Sequence, residues 1–224
     1  LAELEETLRS MAMAMEFGFL FDRERRLLSI GYLADEGALD PNCYDLLASE
    51  ARLASFFAIA KNDVPTRHWF HLGRPVTAID NGAGLISWSG SMFEYLMPSL
   101  VMRAPTGSLL EQSSKLIVSR QIAYAEALQI PWGVSESAYN ARDLEMTYQY
   151  SNFGVPGLGL KRDLGRNLVI APYATALAAM VDPHAAVLNF MRLDLIGACG
   201  ECGFFEAVDY TAARLPKGSA FAIV

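Results

Sequence analysis

Apolar residues recur along this chain at two spacings, and the switches between them mark its elements. Leu4, Leu8, Met11 and Met15 fall on one stripe at a helical period, predicting a helix that runs from about Leu4 to Phe17. Phe19-Leu20-Phe21 and Leu27-Leu28-Ser29-Ile30 flank the charged stretch Asp22 to Arg26, the pattern of a hairpin. A second helix is expected from Asp40-Pro41 to about Lys61, because Asp40 suits the cap and Pro41 the first turn. Asp80-Asn81-Gly82, central to the stretch Arg74 to Trp88, predicts another hairpin or a loop. A short helix is expected over Ser91 to Leu96, stopped by Pro98, and a long one over Ser108 to Leu128. From Pro131 the chain reads as an aromatic loop to Phe153, then as a glycine-rich stretch to Gly165. Helices fit Pro172 to Met180 and Pro183 to Ile196, and a strand fits Phe204 to Tyr210.

Strands and helices do not alternate regularly, which argues against a doubly wound sheet. The stripes at Leu4–Met15, Leu46–Phe57, Leu109–Leu128 and Ala186–Leu195 predict a mainly α fold with strands confined to short hairpins. Long connections rich in Trp, Tyr, Gly and acids point to function at one face of that scaffold. The order suits an (α/α) barrel whose loops hold a sugar.

Composition narrows the functional classes. With 224 residues, 52% hydrophobic and 19% charged, the chain can bury a substantial core and is read as one domain over 1–224. A formal net charge of −7 argues against nucleic acid as a partner, since phosphate binding needs clustered cations. Arg23-Glu24-Arg25-Arg26 and Lys161-Arg162 are too short and interrupted to supply them. Three cysteines cannot form a disulfide framework. Cys199 and Cys202 lack the second pair or spaced histidines that a zinc site needs, so no metal and no cofactor is expected. The longest uncharged run near the C-terminus, Leu168 to Val181, is too short to span a bilayer and contains Pro172, so no insertion by this segment is expected. No cationic lead followed by an apolar run opens the chain. It starts on a helix and stops on Ala220-Phe221-Ala222-Ile223-Val224, which suggests a fragment of something longer.

Glu50 is the sharpest chemical signal. On a helix, Leu46, Glu50, Leu53 and Phe57 share one face, so this carboxylate must be desolvated, paired or used. Desolvation raises a carboxyl pKa, as a general acid at neutral pH requires. The plainer alternative is a glutamate at a helix end or paired with an arginine. Glu136 lies in Trp132-Gly133-Val134-Ser135-Glu136-Ser137-Ala138-Tyr139-Asn140, where hydroxyls, an amide and aromatic rings supply the materials of a sugar subsite. Its alternative is the first turn of a short helix capped by Ser135. Glu94, Glu206 and Asp209 form a second tier, with Asp143 and Glu145 beside Tyr148 and Tyr150 as loop or subsite residues. On a strand, Glu206 would share a face with Phe204, Val208 and Tyr210. Other templates fail. The glycines from Gly154 to Gly159 lack a P-loop ending, and no nucleophile elbow appears.

Several long strings resemble one family: Asp40 to Leu53, Arg67-His68-Trp69-Phe70, Ser87 to Pro98, Trp132 to Tyr139 and Gln149 to Arg162. From about Phe17 to the C-terminus the chain resembles the glucoamylase-like domain of bacterial cyclic β-1,2-glucan synthases. The resemblance implies an (α/α)6-type barrel, incomplete over this length, and an anomer-retaining transglycosylase that closes linear β-1,2-glucan into a ring. It places the acid/base on Glu50 and the nucleophile on Glu136; the residues themselves give Trp88, Glu94, Trp132, Tyr139, Tyr150 and Glu206 as substrate-binding candidates. It also implies β-1,2-glucan and the other domains of a large inner-membrane synthase as partners, with this segment on the cytoplasmic side. The segment Ala198-Cys199-Gly200-Glu201-Cys202-Gly203 departs from the family's basic, aromatic stretch, so no Cys-x-x-Cys chemistry is carried over. Three rivals are an inverting endo-β-1,2-glucanase, a glycoside phosphorylase with Lys161 and Arg162 as its anion site, and a non-catalytic glucan-holding module. Carboxylate separation distinguishes retaining from inverting enzymes, at roughly 5 Å against roughly 6.5–9.5 Å.

Overall fold

The computed structural model describes residues 1–224 and divides into two units, Leu1–Arg74 and Pro75–Val224. The first contains α1 (Ala2–Ala14), β1 (Phe21–Asp22), β2 (Leu27–Ser29), β3 (Tyr32–Leu33), β4 (Ala38–Leu39), β5 (Cys43–Tyr44), α2 (Arg52–Ala60) and α3 (Arg67–His71). The expected hairpin is β1 against β2, and β5 adds an antiparallel third strand. Leu28, Ala58 and Val64 form the centre of this unit, with Phe17, Leu20 and Phe21 packed around them. His68 is buried: its Nδ1 lies 3.0 Å from the carbonyl of Arg26 and its Nε2 2.8 Å from Ser55 Oγ. Burial lowers its pKa, partly opposed by the Arg26 carbonyl. The helix α1 forms where its stripe predicts, but none of its residues is buried.

The helix expected from Asp40 begins twelve residues later, at Arg52. Asp40 Oδ1 accepts from Asn42 N at 2.7 Å, which closes a side-chain turn in place of a helix cap. Cys43 and Tyr44 pair with β2, and Leu47 N donates to the Gly73 carbonyl while Gly73 N donates to that of Asp45. Those backbone groups are therefore committed to sheet-like pairing and cannot enter a helical ladder.

The second unit contains β6 (Val76–Ile79), β7 (Gly82–Leu85), α4 (Met92–Leu96), α5 (Leu109–Leu128), β8 (Ser137–Arg142), β9 (Tyr148–Ser151), β10 (Val169–Ile170), α6 (Pro172–Ala178), α7 (Pro183–Leu195), β11 (Cys199–Gly200), β12 (Gly203–Phe204), β13 (Val208–Asp209) and β14 (Ala222–Ile223). Ser108 caps α5 by accepting from Glu111 N, and Gln129 ends it in the left-handed conformation. Ile117, Val118 and Ala125 bury the inner face of α5. Ser113 Oγ on that face accepts from Leu85 N, fastening α5 to the β6–β7 hairpin.

A backbone clasp closes over the serine-rich loop from Ser87 to Ser91. Ser87 N donates to the Leu158 carbonyl, Leu160 N to that of Ser87, Lys161 N to that of Trp88, and Val155 N to that of Gly90. Only glycine fits at Gly154, where an added Cβ would lie 1.8 Å from the Ser89 carbonyl oxygen.

The expectation of a mainly α fold built as an (α/α)6 barrel is not met. Seven helices are interspersed with short strands in six small antiparallel sheets, and no closed barrel is found. Of the seven, only α1, α5 and α7 exceed nine residues. The stretch Leu46 to Glu50, expected to be helical, and the loop-like stretch after Pro131 both spend backbone groups on bridges and hairpins.

Candidate active site

Glu136 stands at the end of a segment fixed by side-chain amides buried in the core. Gln121, on α5, donates from Nε2 to the Val134 carbonyl at 2.8 Å and accepts from Val134 N at 2.9 Å. Asn189, on α7, does the same for Trp132: it accepts from Trp132 N at 3.0 Å and donates to its carbonyl at 2.8 Å. Both amides act as a substitute strand, satisfying a buried backbone whose other backbone partners are an isolated bridge between Val134 and Ile170 and a bond from Met92 N to the Val134 carbonyl. Phe93 N, at the start of α4, donates to Ser135 Oγ at 3.0 Å. The helix that Ser135 could have capped is absent, and Glu136 instead leads into strand β8.

Around this half-buried glutamate the hydroxyls converge. Tyr150 OH donates to Glu136 Oε1 at 3.3 Å, and Tyr173 OH donates to the Glu136 backbone carbonyl at 2.8 Å. Ser135 Oγ lies 2.8 Å from Tyr173 OH. The β8–β9 register places Tyr150 opposite Ala138, so it reaches Glu136 diagonally on the same sheet face. Glu206 enters from the far end of the unit, where its Oε1 accepts from Ala138 N at 3.3 Å. The Tyr150 phenol is pushed up to about 12 by desolvation first, then by the charges of Glu136 and Glu206. Burial raises Tyr173 as well, with the same two carboxylates adding to the shift. Both phenols therefore remain protonated donors through neutral pH.

Strand β8 is tied down by a buried ion pair. Asp209, fully buried, accepts from Arg214 Nε at 2.7 Å and Nη2 at 3.1 Å, from Thr211 N at 2.8 Å and from Asn140 N at 3.1 Å. Burial would raise the Asp209 pKa, but Arg214 and the other donors outweigh it and the net shift is downward. The same guanidinium lies 4.7 Å from the centre of the Tyr139 ring.

The other candidates divide by exposure. Trp88 and Tyr150 are exposed and can meet a sugar face. Trp132 is buried, and Tyr139 packs edge-on against Phe153 at 5.5 Å with Arg214 beside it. Glu94 is buried inside the Ser87–Ser91 loop, where it accepts from Ser87 Oγ and Ser89 Oγ, each at 2.7 Å, and from Ser89 N and Ser91 N. With Ser91 it forms a capping box on α4. Glu206 lies between β12 and β13, because the expected strand from Phe204 to Tyr210 is broken there. Asp143 and Glu145 lie in the β8–β9 turn, where Asp143 Oδ1 accepts from Thr147 N at 2.8 Å. Lys161 donates from Nζ to Asn152, so its ammonium is already engaged.

Glu50 belongs to the first unit. It sits in the turn before α2, half-buried, so the apolar helix face expected to carry it does not form. Its Oε2 accepts from Ser49 Oγ at 3.1 Å. Nearby Arg52 is buried and its pKa falls to about 10, with the Glu50 charge partly opposing that fall. Sequence reasoning missed Tyr173, Gln121, Asn189 and Arg214. For Gln121 and Asn189 a signal existed, since each is an amide among the inward positions of an amphipathic helix.

The family described as "Putative glucoamylase" matches residues 42–222. Over 221 residues the chain is 58% identical to the cyclic beta-(1,2)-glucan synthase NdvB of Rhizobium meliloti (strain 1021), covering 99% of this chain but 8% of that relative. Two solved structures that carry the family's description share the fold. One, from Bacteroides fragilis NCTC 9343, superimposes with a TM-score of 0.72 at 15% identity, covering 96% of this chain and 54% of that one. The other, from Bacteroides caccae ATCC 43185, gives a TM-score of 0.65 at 12% identity, over 97% of this chain and 55% of that one. No helix is long and apolar enough to cross a membrane.

Proposed function

The chain belongs to this glucoamylase-like family, and on that premise we propose that it is the carbohydrate-active part of a β-1,2-glucan-cyclising enzyme, an anomer-retaining transglycosylase with Glu136 as nucleophile. One observation carries the reading: Glu136 is held on a braced segment, half-buried, with the Tyr150 hydroxyl on its carboxylate. A donor fixed on a carboxylate keeps it oriented and stabilises the negative charge that a nucleophile needs.

In the proposed reaction a Glu136 oxygen forms a bond to the anomeric carbon as the glycosidic C–O bond breaks. A second carboxylic acid, the role the resemblance assigns to Glu50, gives its proton to the departing glucan oxygen. The non-reducing-end hydroxyl of the same chain then attacks the anomeric carbon, returns a proton to that acid and releases Glu136. One glycosidic bond is exchanged for another, so no oxidant or cofactor is consumed. Exclusion of water favours this transfer over hydrolysis. Trp88, Tyr150 and Glu206 are proposed to bind the glucan.

The test is incubation of the complete protein that carries this chain with linear β-1,2-glucan, with products identified by mass spectrometry. Glu136→Gln and Glu50→Gln are each expected to lower cyclisation by at least about a hundredfold. Near-normal cyclisation by Glu136→Gln refutes the assignment. A second reading rests on Glu206, whose charge reaches the same Tyr150 and Tyr173 hydroxyls as that of Glu136. If Glu50→Gln stays active while Glu206→Gln fails, the acid/base role moves to Glu206.

A further inference from the structure

Glu206, proposed above to bind the glucan, also borders a groove of about 270 Å³ whose aromatic walls have no part in the proposed bond exchange. Its walls are Tyr173 from α6, Phe190 from α7, and Phe204, Phe205 and Glu206 from the end of the β11–β12 hairpin. The Phe190 and Phe204 rings meet at 4.9 Å between centroids with a 33° tilt. Phe205 is held in place despite being exposed. Its N–H donates to the Ala198 carbonyl at 3.0 Å, which extends the hairpin by one pairing, and its ring lies over Gly200. A Cβ at Gly200 would come within 3.1 Å of Phe205 Cζ, so the absence of a side chain there makes room for the ring.

Resting on the reading above, we propose that this groove is a holding subsite for one glucose ring of the glucan chain, adjoining the Glu136 centre. The walls are amphipathic in the sense a pyranose requires. Aromatic faces cover its C–H surface, and a carboxylate stands at one end for its hydroxyls. Glu206 Oε1 is engaged by Ala138 N, which fixes the carboxylate and leaves Oε2 for the ligand. An apolar protein segment seated here would cover that carboxylate without giving it donors, at a desolvation cost a sugar avoids. The groove also continues into the site: Tyr173 lines it with its ring while its hydroxyl reaches the Glu136 carbonyl.

The experiment is steady-state cyclisation of linear β-1,2-glucan by the complete protein, comparing wild type with Phe205→Ala, Phe204→Ala and Phe205→Trp. Loss of one stacking ring is expected to raise KM about tenfold while kcat changes less than about twofold, and Phe205→Trp restores KM. Both alanine variants remove exposed side chains, so the unfolding midpoint stays near that of wild type; should one variant unfold, the other carries the test. If wild type cyclises and depends on Glu136 but neither alanine variant moves KM, the groove proposal is overturned alone. A fall in kcat without a change in KM, or a change in oligomeric state with KM intact, overturns it too. If wild type converts no β-1,2-glucan at all, both this proposal and the reading beneath it fall.

Discussion

Replacing Asp209 by alanine tests how the Glu136-bearing strand is held. The change deletes the acceptor for four hydrogen bonds, two from Arg214 and one each from Thr211 N and Asn140 N. Breaking a buried ion pair by removing one partner costs about 3–5 kcal/mol. Here the lower figure applies, because the Arg214 side chain is 18% exposed and keeps Asn167 Oδ1 and Thr211 Oγ1 as acceptors. A loss of about 3 kcal/mol is a large part of the 5–15 kcal/mol that stabilises a typical domain. With a urea slope of about 2 kcal/mol/M, the midpoint should fall by about 1.5 M. Fluorescence of Trp88 and Trp132, both in this unit, follows the transition. The sign of the pH dependence is fixed by the lowered Asp209 pKa. Its contribution is full above the unfolded value of about 3.9 and is lost as pH falls through the folded one. The gap between variant and wild type should therefore close in acid. A midpoint shift below about 0.3 M at neutral pH, or a gap that persists unchanged in acid, would show that the pair adds no net stability.

Three further outcomes are expected. Gly154→Ala should cost at least about 4 kcal/mol in thermal unfolding, since its Cβ meets rigid backbone, whereas Gly157→Ala, open but at φ 88°, should cost about 1–2 kcal/mol. Tyr150→Phe should slow cyclisation about tenfold with little loss of stability, because the residue is exposed and its hydroxyl serves a carboxylate; unchanged turnover would remove it from the site. His68, with a lowered folded pKa, should make the first unit less stable as pH falls from about 6.5 toward that value, and His68→Gln should flatten the dependence measured by urea unfolding.

What was legible in the sequence followed local rules. Ser108 opens α5, Pro172 and Pro183 open their helices, the Asp22–Arg26 turn closes a hairpin as read, and of the hairpin or loop expected at Asp80–Gly82 the hairpin forms. Readings failed where distant backbone decided the conformation. Gly73 takes the backbone of Asp45 and Leu47 away from a helix, and that removes the stripe on which Glu50 was placed. The β8–β9 hairpin was hidden because its turn, through Met146 in a left-handed conformation, carries no glycine. Glu136 was visible as an acid among hydroxyls and rings, but its bracing was not. Gln121 and Asn189 act on it from helices that a linear reading treats as separate.

The clasp between the Ser87–Ser91 loop and the segment from Val155 to Lys161 bears on how the protein is made. Its partners lie about 70 residues apart, so the loop is synthesised long before the chain that covers it. At about 5–20 residues per second, a ribosome leaves that loop without its cover for roughly 4–14 s. During that interval the Glu94 carboxylate can already gather the Ser87 and Ser89 hydroxyls and the Ser91 N–H, all local to it. The loop can thus emerge pre-shaped around its own acid, and the later glycines close on a template instead of having to create one.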